Sequence, residues 1–286
     1  MSILHKILAA SHLPLKFSNS IAKFLKIKVN SDLRVLLYHD IPLDKQELFL
    51  AQLQELSKVW KFVSPEEFEE MILGNKEIVG KNLLLSFDDG YISNRRVTEE
   101  VLEKMGIKAL FFIISDFVSI SNYEDSKTFV SANVYPDYTP EQVPDSWLPM
   151  NWNDLKFLLE KGHSIGSHTK THARLSKIEN LDQLKDEIIN SKQILENKLG
   201  ITIKHFAYTF GDLGSFSEIA LSIAKTNYEF VHTGLRGNNF KTYPWAIRRE
   251  ATSPEDSLQL ISAFLEGGAD VLYKKKLQIY ESWGLN

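Results

Sequence analysis

Short apolar runs alternate along this chain with longer stretches of helical spacing. Residues 34–38 (RVLLY) form a compact apolar run ending at His39 and Asp40, and residues 45–59 then carry Leu48, Leu53 and Leu56 at helical intervals. Residues 82–87 make a second apolar run, too continuous for a half-exposed antiparallel strand. Residues 95–105 predict a helix that stops at Gly106, and residues 108–115 (KALFFIIS) predict the next strand. A helix beginning near Asn153 stops at Gly162. The clearest helix starts at Asn180, a candidate cap with Gln183 at the reciprocal position. It carries Leu184, Ile188, Leu195 and Leu199 on one face and ends at Gly200. Strand candidates at 203–208, 228–233 and 243–248 follow, with a helix around 215–224 between the first two.

Strands that alternate with helices predict an α/β fold built on a parallel sheet, either a barrel or an open doubly wound sheet. No internal repeat or long linker interrupts the pattern. Residues 119–150 are the exception: rich in Ser, Asn, Asp, Tyr and Pro, they show no sustained period. A stretch of this length inside one domain reads as an insertion that is functional or a lid rather than accidental, its role left open. The expected organisation is a segment over 1–31 and one catalytic domain over 32–286.

A hydrophobic content of 43% in 286 residues is enough to bury a full core. The net charge of −4 gives no electrostatic case for nucleic acid, which needs a concentrated basic face. With no cysteine, disulfides, thiolate nucleophiles and Cys-type zinc sites are excluded. The first thirty residues differ from the rest. They hold Lys6, Lys16, Lys23, Lys26 and Lys28 and no acidic residue, interleaved with Ile3, Leu4, Ile7, Leu8, Ile21, Phe24 and Leu25. Two readings stand for this segment: an amphipathic helix packed on the domain, or a basic helix making peripheral contact with an anionic membrane surface. It lacks the long apolar core of a secretory signal, so the expected location is cytoplasmic, with membrane association the open alternative.

Two short motifs carry candidate chemistry. Ser86-Phe87-Asp88-Asp89-Gly90 and Ser167-His168-Thr169-Lys170-Thr171-His172 each follow a strand-like run. Asp-Asp-Gly alone is ordinary turn chemistry, and with eight histidines a pair four apart can arise by chance. Together, at the carboxyl ends of strands where α/β folds build their sites, they offer the N/O donor set of a catalytic metal site. His232, ending another strand pattern, is a further candidate; His5, His12, His163 and His205 read as structural.

Leu37-Tyr38-His39, the Asp-Asp-Gly motif, the His-x-x-x-His motif and Phe206-Ala207-Tyr208-Thr209-Phe210-Gly211 occur in the order seen in polysaccharide deacetylases. From about residue 33 to 252 the chain resembles carbohydrate esterase family 4. With Tyr38-His39 placed before Asp-Asp-Gly, it resembles the circularly permuted branch. The resemblance implies a distorted (β/α) barrel of about seven parallel strands. It implies that Asp89, His168 and His172 hold a divalent metal, zinc foremost, with nickel, cobalt or manganese open. It further implies Asp88 as general base, His39 as the acid that protonates the departing amine, and the Phe210 backbone N–H as oxyanion donor.

Two positions depart from the family pattern. Thr209 stands where a proline is expected, and Ala207 where many relatives carry the arginine that orients the base. Arg248 or Arg249 is the expected replacement, with Arg248 taken as the site residue. Trp152, Tyr208, Phe210 and Trp245 form a candidate sugar-stacking wall. The implied activity is hydrolysis of an N-acyl group, acetyl foremost, on an amino sugar or oligosaccharide. The alternatives are a deacylase or deformylase of a lipid-linked or small non-sugar amide, and a non-catalytic carbohydrate-binding relative. Oligomeric state, sugar identity and chain length are left open.

Overall fold

Alternation along the strands sorts the core of this protein into two layers. The computed structural model describes residues 31–285. Its strands are β1 (Ser31–Tyr38), β2 (Lys61–Phe62), β3 (Gly80–Phe87), β4 (Ala109–Ile113), β5 (Ser164–Ser167), β6 (His205–Ala207), β7 (Phe230–His232) and β8 (Glu250–Ala251). Leu36 and Tyr38, Leu83, Leu85 and Phe87, and Phe111 and Ile113 face outward into one large cluster with the surrounding helices. The intervening Leu33, Val35, Leu84, Leu110 and Phe112 join Ala207 and Ile247 in a separate inner cluster.

Seven strands run in the order β7-β6-β5-β4-β3-β1-β8, and β2 pairs with β3 off this path. All the pairings are parallel. A parallel bridge between His232 and Ile247 joins β7 to the segment entering β8, so the sheet curls round on itself. This is the distorted α/β barrel that the resemblance implied. The bottom of the inner cluster is filled by Phe68 and Met71 of the helix Pro65–Leu73. Ser64 caps that helix by accepting the Glu67 N–H, Pro65 occupies its first turn and Gly74 ends it at φ 80°.

Most expected elements form, with shifted edges. Asn180 caps its helix through the N–H groups of Asp182 and Gln183, and Gly200 closes the far end at φ 70°. The strand expected over 243–248 does not form. Pro244, which has no N–H to give a ladder, opens a 3-10 turn Pro244–Ala246, and the paired strand comes later, at Glu250–Ala251. Residues 119–150 contain a short helix, Tyr123–Phe129, and a π turn, Val130–Val134. They pack as a wall against the Asp-Asp-Gly turn. Met150 N–H donates to Gly90 O (2.9 Å), Ile92 N–H to Leu148 O (2.7 Å), and Tyr91 bridges Pro149.

The basic segment expected over 1–30, and with it the expected membrane contact, lies outside the described residues. No helix among the described residues is long and apolar enough to cross a membrane.

Candidate active site

The carboxyl ends of the strands bring the two motifs together. His39 follows β1, Asp88 and Asp89 follow β3, His168 follows β5, and Tyr208 to Phe210 follow β6. All of them except Thr209 line one cleft of about 310 Å³. Asp88, Asp89, His168 and His172 are buried, and His39 is half-buried.

The two aspartates diverge because the chain turns at once. Asp89 adopts φ 71° and Gly90 φ 81°. Among the described residues five non-glycine residues have positive φ, and four of them are Asp89, Thr169 (64°), His172 (67°) and Phe210 (61°). Each such residue costs on the order of 1 kcal/mol, so the strain is concentrated in this cleft. The histidine pair therefore sits on a strained loop, not on a helical turn. Glu187 holds that loop by accepting the N–H groups of Lys170 (3.1 Å) and Thr171 (2.9 Å) and the Thr171 hydroxyl (2.6 Å).

Asp89 Oδ1 lies 3.4 Å from His168 Nε2 and 3.4 Å from His172 Nε2. The far side of each ring is already committed. His168 Nδ1–H donates to Ala207 O (2.9 Å) and His172 Nδ1–H to Asn133 O (3.2 Å). In the neutral tautomer that leaves both Nε2 lone pairs turned toward a carboxylate. Lone pairs facing an anion repel unless a cation stands between them, and backbone carbonyls behind the rings are the usual support of metal-binding histidines. Asp89 Oδ1 is also buried without a hydrogen-bond partner. The three donor atoms lie within 4.8 Å of one another, so the residues fit a divalent metal.

Charge at the site follows from this crowding. Burial would raise the Asp89 carboxyl, but His168, His172 and His39 outweigh it and hold it well below the usual carboxylate range. Burial opposes protonation of His168 too, yet the adjacent Asp88 and Asp89 keep its pKa above the ordinary value. For His172 burial prevails and pushes the imidazole down to about 4.

Asp88 takes a different partner. Its Oδ1 accepts from Arg249 Nη1 at 2.6 Å, and Arg249 Nε donates to Thr233 O at 2.9 Å. The expectation that Arg248 orients the base is corrected here. Ile247 points into the inner cluster, so by alternation Arg249 faces inward and Arg248 outward. Arg248 instead pairs with Glu281 (2.6 Å) and donates to Asn238 O.

Phe210 stands at the rim, 40% exposed. Its ring lies 4.7 Å from that of His172, with the Arg174 guanidinium 4.1 Å above it. Thr209, in the proline position, donates its hydroxyl to Ala173 O at 2.7 Å and so ties this loop to the histidine loop. Gly211 and Gly234 permit a close approach: a Cβ on Gly234 would lie 2.6 Å from Gly211 Cα. Of the expected aromatic wall, Tyr208 and Phe210 line the cleft. Trp152 instead packs on the outer cluster, and Trp245 stacks on Tyr243 at 4.7 Å. His232 lies in the barrel interior, its Nε2 2.9 Å from His205 Nδ1, and His205 Nε2 meets Glu69 at 3.1 Å.

Several site residues escaped the sequence reading. The Asn133 carbonyl is a backbone group and leaves no trace in side-chain chemistry. Tyr135 and Tyr273 line the cleft from segments without a motif. Asp40 holds the 119–150 wall by accepting from Ser146 Oγ (2.7 Å) and Trp147 Nε1 (3.0 Å), and its position directly after His39 was the one available hint.

Known proteins resemble this chain in sequence and in fold. The polysaccharide deacetylase family matches residues 75–231, more than half the chain, which leaves His39 and Arg249 outside the matched span. YxkH of Bacillus subtilis, named for the same family, is 25% identical over 260 residues, covering 88% of this chain and 82% of its own length. The peptidoglycan-N-acetylglucosamine deacetylase of Bacillus cereus is 23% identical over 190 residues, covering 61% of this chain and 57% of that protein. Among solved structures, IcaB from Ammonifex degensii superposes with a TM-score of 0.65 at 23% identity, over 83% of this chain and 98% of that one. The Streptococcus pyogenes deacetylase PplD, in complex with acetate, gives 0.64 at 21% identity, over 82% and 98%. Both share its fold. The chain belongs to the polysaccharide deacetylase family and is thus a hydrolase of carbon–nitrogen bonds other than peptide bonds.

Proposed function

We propose that this protein is a metal-dependent N-deacetylase that removes the acetyl group from an amino sugar in a glycan or glycan precursor. The observation that carries the reading is the buried Asp89 oxygen faced by two imidazole nitrogens, beside a carboxylate–guanidinium pair and His39 in one cleft. A divalent ion held by Asp89, His168 and His172 would supply Lewis acidity, polarising the acyl carbonyl and making water a competent nucleophile near neutral pH. Zinc, nickel, cobalt and manganese all accept this donor set.

The chain's own residues do the rest. Asp88 takes the proton of the attacking water, while Arg249 fixes the carboxylate's orientation. Water oxygen bonds to the acyl carbon, and the carbon–nitrogen bond then breaks. His39, in protonated form, gives its proton to the nitrogen, which would otherwise leave as a poor anion. The Phe210 backbone N–H, presented by the left-handed turn at Phe210 and Gly211, is the donor assigned to the developing oxyanion. The products are acetate and a free amino sugar. The Bacillus cereus relative's name makes N-acetylglucosamine polymers the first substrates to assay.

The test is acetate and formate release by metal-reconstituted protein from oligomeric, nucleotide-linked and lipid-linked N-acylated amino sugars. Acetate release that is lost in Asp88→Asn with metal still bound supports the reading. Bound metal with no release from any of them overturns it, and equal glycan binding by both forms would then identify a sugar-binding relative.

A further inference from the structure

The mechanism above gives Asp88, Asp89, His39, His168 and His172 work on the amide, but leaves other polar side chains of the cleft unused, Tyr135 among them. Tyr135 comes from the 119–150 wall, half-buried, and lines the cleft with His39, Asp89 and His172. Its placement is tightly determined. Its N–H donates to Val130 O (2.9 Å), closing the π turn, and two residues earlier the Asn133 carbonyl is bonded to His172. Its ring stacks on Trp147 at 4.4 Å and 26°, and Trp147 is anchored to Asp40 and stacked in turn on buried Tyr91 at 6.2 Å. The metal ligand His172 and this ring are thus set by one short piece of backbone.

We infer that Tyr135 is a substrate-contacting residue whose phenol hydroxyl hydrogen-bonds a hydroxyl of the sugar being deacetylated. This rests on the reading of the cleft as a sugar N-deacetylase site. The groups beside the amide are already supplied, so the wall on the Tyr135 side meets the sugar ring, whose outward groups are hydroxyls. A tyrosine held flat on a tryptophan offers a rigid apolar face and one polar tip, the combination that suits a pyranose. Burial pushes its phenol above the ordinary value, so the hydroxyl keeps its proton and can donate a hydrogen bond. Were the ring there only to cover Trp147, phenylalanine would serve equally well.

Tyr135→Phe tests this because it keeps the stack and removes only the hydroxyl. Metal-loaded wild type and variant, as the full chain, are compared on an N-acetylglucosamine oligomer and on an aryl acetate ester, which shares the acyl group and has no sugar. Equilibrium binding of the oligomer is measured alongside. The ratio of kcat/KM for the oligomer to that for the ester should fall about fivefold to tenfold, the size of one neutral hydrogen bond, through a higher KM and weaker binding. An unchanged ratio overturns the inference. Equal losses on both substrates also overturn it, because the hydroxyl would then act on the acyl group or the ligands. If wild type cleaves the ester but no N-acetylated sugar, the functional reading fails and the role of Tyr135 falls with it, a result seen before any variant is made.

Discussion

Arg249 Nη1 lies 2.6 Å from Asp88 Oδ1, and both side chains are buried. Arg249 immediately precedes the last strand of the sheet and Asp88 follows β3, so the pair spans the inside of the barrel. Neutralising one member leaves the other charge uncompensated in the interior. Arg249→Met should therefore lower kcat/KM by about a hundredfold, the low end of what a positioned general base contributes. It should also cost about 3 kcal/mol of stability in urea unfolding. Arg248→Ala, which loses a partly exposed pair with Glu281 and a hydrogen bond to Asn238 O, should cost no more than about 2 kcal/mol of stability. Comparable activity losses in the two variants would refute the assignment of Arg249.

That pair also marks how far the amino-acid sequence could be read. The Asp-Asp-Gly and His-x-x-x-His motifs were legible because each is contiguous and its residue types are chemically distinctive. The choice between Arg248 and Arg249 was not, because it depends on strand phase. Phase here is set by Ile247 entering the inner cluster, a long-range packing fact. The strand expected through Trp245 failed on Pro244, which has no N–H to give a ladder and opens a 3-10 turn instead. The Asn133 carbonyl behind His172 could not be read at all, since every residue has a carbonyl and only the fold says which one is used.

Asp40 should control metal affinity without touching the metal. It ties Ser146 and Trp147 to the end of β1, and the same wall carries the Asn133 carbonyl that orients His172. Loss of supports behind metal-binding histidines typically weakens affinity 10- to 100-fold. Asp40→Ala should weaken metal binding about tenfold in a chelator competition. Unaltered affinity would mean that the wall holds His172 without this clamp.

Thr209 replaces a rigid proline with a hydrogen bond to Ala173 O. Thr209→Val keeps the shape and removes the hydroxyl, so the Phe210 turn should lose its tie to the histidine loop. We expect kcat to fall about fivefold, the scale of one hydrogen bond, with KM nearly constant. Thr209→Ser should recover most of the loss. A Ser variant as impaired as the Val variant would point to packing of the methyl group instead.

His163 should make the fold sensitive to mild acid, away from the active site. Its Nδ1 accepts the Ala109 N–H at the start of β4 (3.0 Å), and its Nε2 faces Glu103 at 3.2 Å. An imidazolium has no lone pair to accept with, so protonation would break the contact to β4. Burial, helped by Lys108, lowers its pKa from 6.5 to about 4 against the pull of Glu103. Above pH 6.5 the imidazole is neutral in both folded and unfolded chains, and its contribution to stability is fully present. As pH falls from 6.5 towards 4 the unfolded chain binds the proton and the folded one does not, so stability is lost across that window. The loss is at most about 3 kcal/mol, from about 1.4 kcal/mol per pH unit. His163→Asn offers an acceptor oxygen in place of Nδ1 and does not titrate. Urea unfolding of both proteins at pH 7.5, 6 and 5 should show the wild type losing more stability than the variant at each step down. Parallel curves would show that protonation of His163 is not linked to unfolding.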